Sequence, residues 1–256
     1  MLANGSSPSL TVLGGSRSAP RRSLHGVASE LRDAVVVDFP LRGEGWMAVT
    51  TPDARIPSHG TDMLGQRFAF DFLRVDGRPG ARFHPAGMLR TNLVGVRAQE
   101  CYAWGASLHA PLDGVVVRAV DGIPERTWIH PLTEVARLLR NAWTFTPDRL
   151  PAILGNHVIL QAGDVFAGFV HLAPGSVAVL PGQTVRSGEL LGRVGHTGNS
   201  TSPHLHFQLM DSLDVMRARG IPCAFRRYDV ERDGSWMPIR NGIPGHRQRL
   251  RSAEDA

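Results

Sequence analysis

Short apolar segments separated by glycine-rich turns are the feature that most constrains the fold of this chain. Between residues 156 and 210 they are NHVILQ, VFAGFVHL, SVAVL, ELLGRVG and HLHFQLM. The connecting segments contain AGD, APG, PGQ, SGE and HTGNS. Segments this short and this closely spaced are typical of β-strands in an antiparallel sheet. We therefore predict a mainly β fold.

The first half of the chain contributes further strands and one helix. AVVVDFP, GWMAVTTP, RFAFDFLRV (67–75) and DGVVVRAV (113–120) have the β-branched or alternating character of strands. In IHPLTEVARLLRNAW, by contrast, Val135, Leu138, Leu139 and Ala142 fall at helical spacing. We predict a compact antiparallel β domain with a helical insertion.

The sequence predicts three regions. Residues 1–33 are rich in Ser, Gly and Arg and are expected to form a flexible N-terminal tail, with a short helix near Ser29 to Asp33. Residues 34–240 form the β domain, with an irregular insertion near 76–104 and the helical insertion near 123–150. Residues 241–256 are expected to be a C-terminal tail.

Residue usage excludes several classes of function. Hydrophobic residues make up 42% of the chain, enough for a core, and all 28 Lys-plus-Arg positions are Arg. Without lysine the chain cannot form a Schiff base or carry a lipoyl or biotinyl group. Its two cysteines, Cys101 and Cys223, lie far apart and fit neither a disulfide framework nor a cysteine zinc site.

Charge and hydropathy bear on partners and compartment. The net charge of +5 would suit an anionic polymer, but we interpret it as a solvated surface of mixed sign and expect no nucleic-acid partner. No apolar run is long enough for a membrane segment. The N-terminus contains no signal-peptide core, so we expect the chain as written to be cytoplasmic.

Two histidines and an aspartate are the first candidates for a metal site. His204 and His206 are two residues apart on a predicted strand and project from the same face. Neighbouring imidazoles suit a metal ion, although two surface histidines would give the same pattern. Asp71, among the aromatic residues of FAFDF, needs a partner for its charge, either a divalent cation or an arginine.

A third ligand candidate is His59, in the turn-like segment SHGTD, from which it could fold back toward Asp71. Asp62 is the competing carboxylate, and we favour Asp71 because it lies on a rigid strand. One Asp and two His would make a catalytic zinc site with one position open for water. His204 and His171, which ends the strand FVHL, would then move protons or stabilise a developing oxyanion, although His171 alone would be taken for an ordinary half-buried histidine.

The stretch LPGQTVRSGELLGRVGHTGNSTSPHLHFQL resembles the C-terminal signature of the lysostaphin-type zinc metallopeptidases, in which V-x-x-G-x-x-(I/L)-G leads into G-x-T-G-x-S-x-x-P-H-L-H-F. HAPLDGVVV, GNHVIL and FVHL resemble the family's A-P-x-D-G-x-V, G-N-x-V-x-I and Y-x-H-L segments. The resemblance covers about residues 57–210. The matched signature positions are Gly182, Val185, Gly188, Gly192, Gly195, Thr197, Gly198, Ser200 and Pro203 to Phe207.

The resemblance implies an endopeptidase that hydrolyses bonds in peptidoglycan cross-links or similar short peptides, with Zn²⁺ as cofactor. It implies a β domain of the barrel-sandwich type, and a location in the cell envelope or outside the cell. It assigns His59, Asp71 and His206 as zinc ligands, and His171 and His204 as catalytic histidines.

Two departures concern the ligands and the substrate. The family usually places its first histidine four residues before the aspartate, where this chain has Arg67; His59 lies twelve residues upstream and resembles relatives with a longer loop. Phe169 replaces the tyrosine of Y-x-H-L. We expect His109, His130, His157 and His196 to be structural, and Asn199 and Ser200 to contact substrate or serve the turn.

Two other functions compete with the peptidase. A catalytically inactive β domain of the same fold could bind or regulate a partner, but the complete candidate ligand set favours the enzyme. A lipoyl-like carrier module shares V-x-x-G-x-x-L-G strands, and the absence of lysine excludes it.

Overall fold

The computed structural model describes residue 31 and residues 33–78, 80–144 and 146–253, without the side chain of Ala142. The predicted N-terminal tail, with its short helix near Ser29 to Asp33, lies outside these residues except at positions 31 and 33. In the described residues β-structure dominates, which confirms the predicted fold class. The strands are β1 Val35–Val37, β2 Glu44–Thr50, β3 Phe70–Arg74, β4 Val96–Arg97, β5 Ser107–His109, β6 Gly114–Val120, β7 Trp128–Ile129, β8 Asn156–Ala162, β9 Val165–Leu172, β10 Thr184–Val185, β11 Leu190–Arg193, β12 Leu205–Met210, β13 Gly220–Ile221, β14 Cys223–Arg232, β15 Ser235–Gly242 and β16 Arg249–Arg251.

One large sheet holds most of these strands, in the order β1-β14-β16-β2-β3-β12-β9-β8-β6-β10. β13 pairs with β12 and β15 with β14, outside this path. The pairing of β1 with β14 is parallel, whereas β3, β12, β9, β8 and β6 form antiparallel pairs in turn. β12 therefore lies between β3 and β9, which brings three of the segments with candidate residues side by side.

The period-2 alternation of these strands divides the sheet into a core face and an opposite face. Phe70, Phe72, Phe169 and Phe207 are fully buried in the main core together with Trp46. Several of these rings pack edge-on or tilted at centroid distances of 5.3 to 6.5 Å. Because the aromatic residues fill one face, Asp71 and His206 are directed to the other.

Two of the three α-helices in the described part of the chain lie in the predicted insertions, and the third begins at Leu150, where the second insertion was expected to end. α1 is Met88–Leu93, α2 is Pro131–Trp143 and α3 is Leu150–Leu154. The segment expected to be irregular, residues 76–104, thus contains a helix, and β4 pairs with β7 beside it. Among the described residues, no helix combines the length and the hydropathy that a bilayer crossing needs.

Three segments differ from their predictions. The segment SVAVL is not a strand. Its valines pack into the core, but the backbone hydrogen bond from Ala178 N–H to Leu191 O is not continued into a ladder. The strand predicted over 67–75 begins at Phe70, since Met63–Phe68 is a 3₁₀ helix. Residues 241–256, expected to be a tail, contribute β16, where fully buried Leu250 pairs with Trp46 and Val230.

Gly195 allows the turn before the H-x-H strand to approach β9. Its N–H donates to His171 O at 3.0 Å, and a Cβ at this position would overlap the backbone nitrogen and Cα of Ala173. Backbone atoms cannot move aside as a flexible side chain can, so the close approach requires glycine.

We expect Gly195→Ala to lower the free energy of unfolding by about 1–3 kcal/mol, the cost of overpacking, as measured by urea denaturation. The matched control is Gly77→Ala, whose added methyl would meet only the Arg249 guanidinium at 3.6 Å. That variant should change stability by less than about 0.5 kcal/mol. Equal stability of the two variants would contradict the close approach at Gly195.

Candidate metal centre

Asp71 and His206 face each other across the β3–β12 ladder. They are direct partners in the antiparallel register, with Phe72 opposite Leu205 and Phe70 opposite Phe207 on either side. Opposed residues on one face lie close enough for their side chains to meet. His206 Nδ1 is 2.9 Å from Asp71 Oδ1. The two strands thereby fix this pair without help from a loop.

His59 reaches the same carboxylate from the loop after β2. Its Nε2 is 3.0 Å from Asp71 Oδ2, and its ring lies 4.8 Å from that of His206, centroid to centroid. His59, Asp71 and His206 each offer one donor atom, and these atoms all lie within 4.8 Å of one another. The three residues that the sequence predicted as ligands are therefore together in the structure.

Asp62, the competing carboxylate, is placed elsewhere. Its Oδ1 is 2.5 Å from Arg67 Nη1, and its side chain is 64% exposed. An exposed aspartate that already has an arginine partner needs no metal ion, so the geometry favours Asp71 over Asp62 as the ligand.

Asp71 is charged despite its burial. Burial alone would raise the pKa of its carboxyl group, but attraction to His59 opposes this. Hydrogen bonds with His204 and His206 act in the same direction, and together the three imidazoles hold the pKa of Asp71 well below its ordinary value. The site is thus a buried carboxylate surrounded by imidazoles, and it can accept positive charge.

His204 and His171 form a second pair of histidines beside the Asp71 carboxylate, with ring centroids 4.9 Å apart. His204 Nδ1–H donates to Ser202 O at 2.7 Å, and its Nε2 is 3.5 Å from Asp71 Oδ1. His171 ends β9 with a left-handed φ of 69° and donates from Nδ1 to Thr197 O at 2.9 Å. Each ring therefore has its Nδ1 anchored on a backbone carbonyl.

The pKa values of the two rings are shifted in opposite directions. Burial lowers the pKa of His204, but hydrogen bonding and attraction to Asp71 outweigh it and raise the pKa above the ordinary value. Burial and the neighbouring His204 and His206 lower the pKa of His171 well below the ordinary value. Adjacent groups with pKa values driven apart are suited to donate and accept protons.

The other candidate residues have mainly structural contacts. Burial and nearby Arg126 lower the pKa of His196 to about 3, so that ring is neutral, and it contacts Ser200 Oγ at 3.0 Å. Ser200 is fully buried and also bonds Ser202 O, which is turn chemistry. Asn199, in contrast, lines the groove described next. His109, His130 and His157 each bond a backbone carbonyl, and His157 also lines that groove.

A groove of about 480 Å³ runs over the candidate metal group. Leu64 and Gln66 line it on the side of His59, Leu138 lines it from α2 in the helical insertion, and Ile153 and Leu154 line it from α3. The volume lies in the range of ligand-binding clefts. The insertion was predicted, but its role as a groove wall was not, because no local pattern shows which element a helix packs against.

A buried charge network ties the insertion to the turn before β12. Glu134 of α2 is 4% exposed and forms ion pairs with Arg126 and Arg137. Both arginines donate to Ser200 O at 2.7 Å, and Arg126 also donates to Gly198 O at 2.9 Å. Arginine side chains that cap these carbonyls fix the turn against α2, beside the candidate catalytic histidines.

Comparison with known proteins supports the resemblance to a family of peptidases. Residues 145–217, which include His171, His204 and His206, match the model of peptidase family M23. A 57-residue segment is 39% identical to the peptidoglycan DD-endopeptidase ShyA of Vibrio cholerae. It covers 22% of this chain and 13% of that protein. The resemblance deduced from the sequence is thereby confirmed, while His59 and Asp71 lie outside the matched residues.

Solved structures with similarity include lysostaphin in solution, at 20% identity and a TM-score of 0.32, over 60% of this chain and 40% of that one. A zinc-containing peptidase from Vibrio cholerae has 18% identity and a TM-score of 0.31, over 73% of this chain and 37% of that one. Both TM-scores are low, so we base no inference on these two structures.

Loss of the Glu134 carboxylate should destabilise the fold, because it leaves two partly buried arginines without their counter-charge. We expect Glu134→Gln to lower the free energy of unfolding by about 3 kcal/mol, measured by urea denaturation. The control Arg217→Gln removes a pair with Asp214 whose side chains are 87% and 55% exposed, and should cost less than about 1 kcal/mol. A small effect of both would contradict the network.

Proposed function

We propose that this chain, whose residues 145–217 match the model of peptidase family M23, is a zinc-dependent endopeptidase that hydrolyses peptide bonds in peptidoglycan cross-links or similar short peptides. The observation that carries the proposal is the convergence of His59, Asp71 and His206 on one point of the groove. The peptidoglycan substrate is inferred from the relative that shares 39% identity over the matched segment.

The donor set fits zinc. Two imidazole nitrogens and one carboxylate oxygen are typical ligands of catalytic zinc, which keeps a further position open for water or substrate. The half-buried Asp71 carboxylate, contacted by imidazoles alone among the ion pairs of the described residues, supplies the negative charge that a divalent cation needs. When bound, zinc would lower the pKa of a water molecule and polarise the substrate carbonyl.

The roles of the chain's own groups follow from their positions. His171 donates from Nδ1 to a carbonyl, which leaves Nε2 of the neutral ring free to accept a proton. His204 Nε2 lies beside Asp71, where a protonated ring can donate to an oxyanion or to a leaving amine. The groove walls would hold an extended peptide across these groups and orient its scissile bond.

The first test is the zinc content of the purified protein after loading and removal of excess metal. We expect about one zinc per chain in the wild type, and loss of bound zinc in His206→Ala and Asp71→Ala, because each removes one of three protein ligands. The control is His246→Ala, an exposed histidine that should keep the metal. A wild type that binds no zinc would refute the peptidase and favour an inactive binding module.

The second test separates catalysis from metal binding. We expect His171→Ala and His204→Ala each to retain about one zinc while kcat for cleavage of a cross-linked muropeptide falls about 10²- to 10⁴-fold. Products would be followed by chromatography with mass detection. Full activity in both variants would contradict their catalytic roles, and loss of zinc in either would make that residue a ligand.

A further inference from the structure

The two histidines of the proposed metal site each have their second ring nitrogen on a hydrogen-bond acceptor. His206 Nδ1 faces Asp71, and its Nε2 lies 2.8 Å from Gln208 Oε1. His59 Nε2 faces Asp71, and its Nδ1 lies 3.2 Å from Ser58 Oγ. A histidine binds a metal through an unprotonated nitrogen, so whatever holds the proton on the other nitrogen selects the ligand atom.

Gln208 can only accept from His206, because its amide orientation is fixed at the other end. Gln208 Nε2 donates to Leu64 O at 2.7 Å, which directs Oε1 toward the imidazole. An amide oxygen has no hydrogen, so the proton of this contact belongs to His206 Nε2. Nδ1 is consequently the nitrogen that faces the carboxylate and the proposed metal position.

The backbone around Leu64 is shaped to receive this amide. Leu64 has a left-handed φ of 58°, and Gly65 follows at 71°. A Cβ on Gly65 would lie 2.9 Å from Gln208 Nε2 and 2.7 Å from Met210 Cγ. A non-glycine residue rarely adopts the left-handed region without a local reason. Here that conformation presents Leu64 O to the glutamine, and Gly65 leaves the space for it.

Ser58 orients His59 in the same way that Gln208 orients His206. Its hydroxyl is buried and donates its one hydrogen to Gln66 O at 3.1 Å. Toward His59 Nδ1 the Ser58 oxygen therefore accepts, and Nδ1 carries the proton. His59 Nε2 is left to face Asp71 from the loop. Gln66 belongs to the same 3₁₀ segment, Met63–Phe68, that supplies Leu64 O.

We propose that Gln208 and Ser58 are positioning residues that select the metal-binding nitrogens, Nδ1 of His206 and Nε2 of His59. The proposal rests on the proposed zinc site. It makes the 3₁₀ segment Met63–Phe68 part of the metal centre, since its carbonyls orient both positioning residues although it contributes no ligand.

Zinc affinity, measured by competition with a chelating dye, tests the proposal without reference to activity. We expect Gln208→Leu to bind zinc about 10- to 100-fold more weakly, the usual cost of losing such a partner. Gln208→Glu keeps an acceptor for His206 Nε2–H and should restore affinity to within several-fold of the wild type. Gln161→Leu is the matched control and should not change affinity, because it removes a glutamine of β8 whose amide donates to Gly163 O in the adjoining turn.

A second pair of variants, at Ser58, tests the proposal independently, so that it can still be refuted if Gln208→Leu fails to fold. Ser58→Ala removes the acceptor for His59 and should weaken zinc binding by a similar factor, whereas Ser58→Thr keeps a hydroxyl and should restore most of it. The free energy of unfolding of the metal-free variants, measured alongside, separates a general loss of stability from a specific loss of affinity.

¹⁵N-histidine NMR gives a readout that a merely structural role would not move. In the metal-free protein we expect His206 Nε2 to carry a proton in the wild type, where it donates to Gln208 Oε1, and to lose that proton in Gln208→Leu, where Nδ1–H toward Asp71 is the hydrogen bond that remains. Wild-type zinc affinity and an unchanged tautomer in Gln208→Leu would overturn the proposal while the zinc site stands. If the wild type binds no zinc, the proposed function fails, and the metal-free spectra still decide whether Gln208 fixes the proton on Nε2.

Discussion

The carboxylate of Asp71 is the group on which the rest of the site depends. The β3–β12 register places it opposite His206 on the face that the aromatic core does not occupy. A charge held in this position must be compensated, and the chain surrounds it with His59, His204 and His206 rather than with an arginine. Imidazoles can give up this carboxylate to a divalent cation and then act as ligands or proton carriers themselves. An arginine would have neutralised Asp71 permanently.

Around this group, rigid and irregular elements have separate tasks. Strands β3, β9 and β12 hold Asp71, His171 and His206, whose positions follow from register. The loop before the 3₁₀ segment Met63–Phe68 carries His59. Carbonyls of the 3₁₀ segment orient Ser58 and Gln208, which contact the imidazole nitrogens that do not face Asp71. The helical insertion closes the groove from the other side and is fixed to the turn before β12 by the Glu134 network. The proposed peptidase thus combines a preorganised metal centre with a wall that can discriminate among substrates.

Much of this arrangement could be predicted, because strands leave a period of two in the sequence. Asp71 among alternating phenylalanines, and the two histidines of H-x-H, were placed on their faces by that period alone. His59 could not be found this way, since a loop has no period; its nearness to Asp71 in the sequence made it a candidate, and the family resemblance assigned it as a ligand. Gln208 lies two residues after His206, so the same period of two places it on the face of the histidine and would have indicated it as a neighbour. The left-handed Leu64 and the packing of the insertion depend on distant contacts, which no local pattern records, and β16 has too few apolar residues to be recognised.

X-ray absorption at the zinc edge of the loaded protein reports the metal ligands themselves and is therefore the decisive measurement for this site. We expect a nitrogen and oxygen shell at about 2.0–2.1 Å, with outer-shell scattering from two imidazoles. In Asp71→Ala, this ordered shell should be lost together with the metal. A sulfur shell at about 2.3 Å, or a shell without imidazole scattering, would place the zinc elsewhere and contradict the assignment of His59, Asp71 and His206.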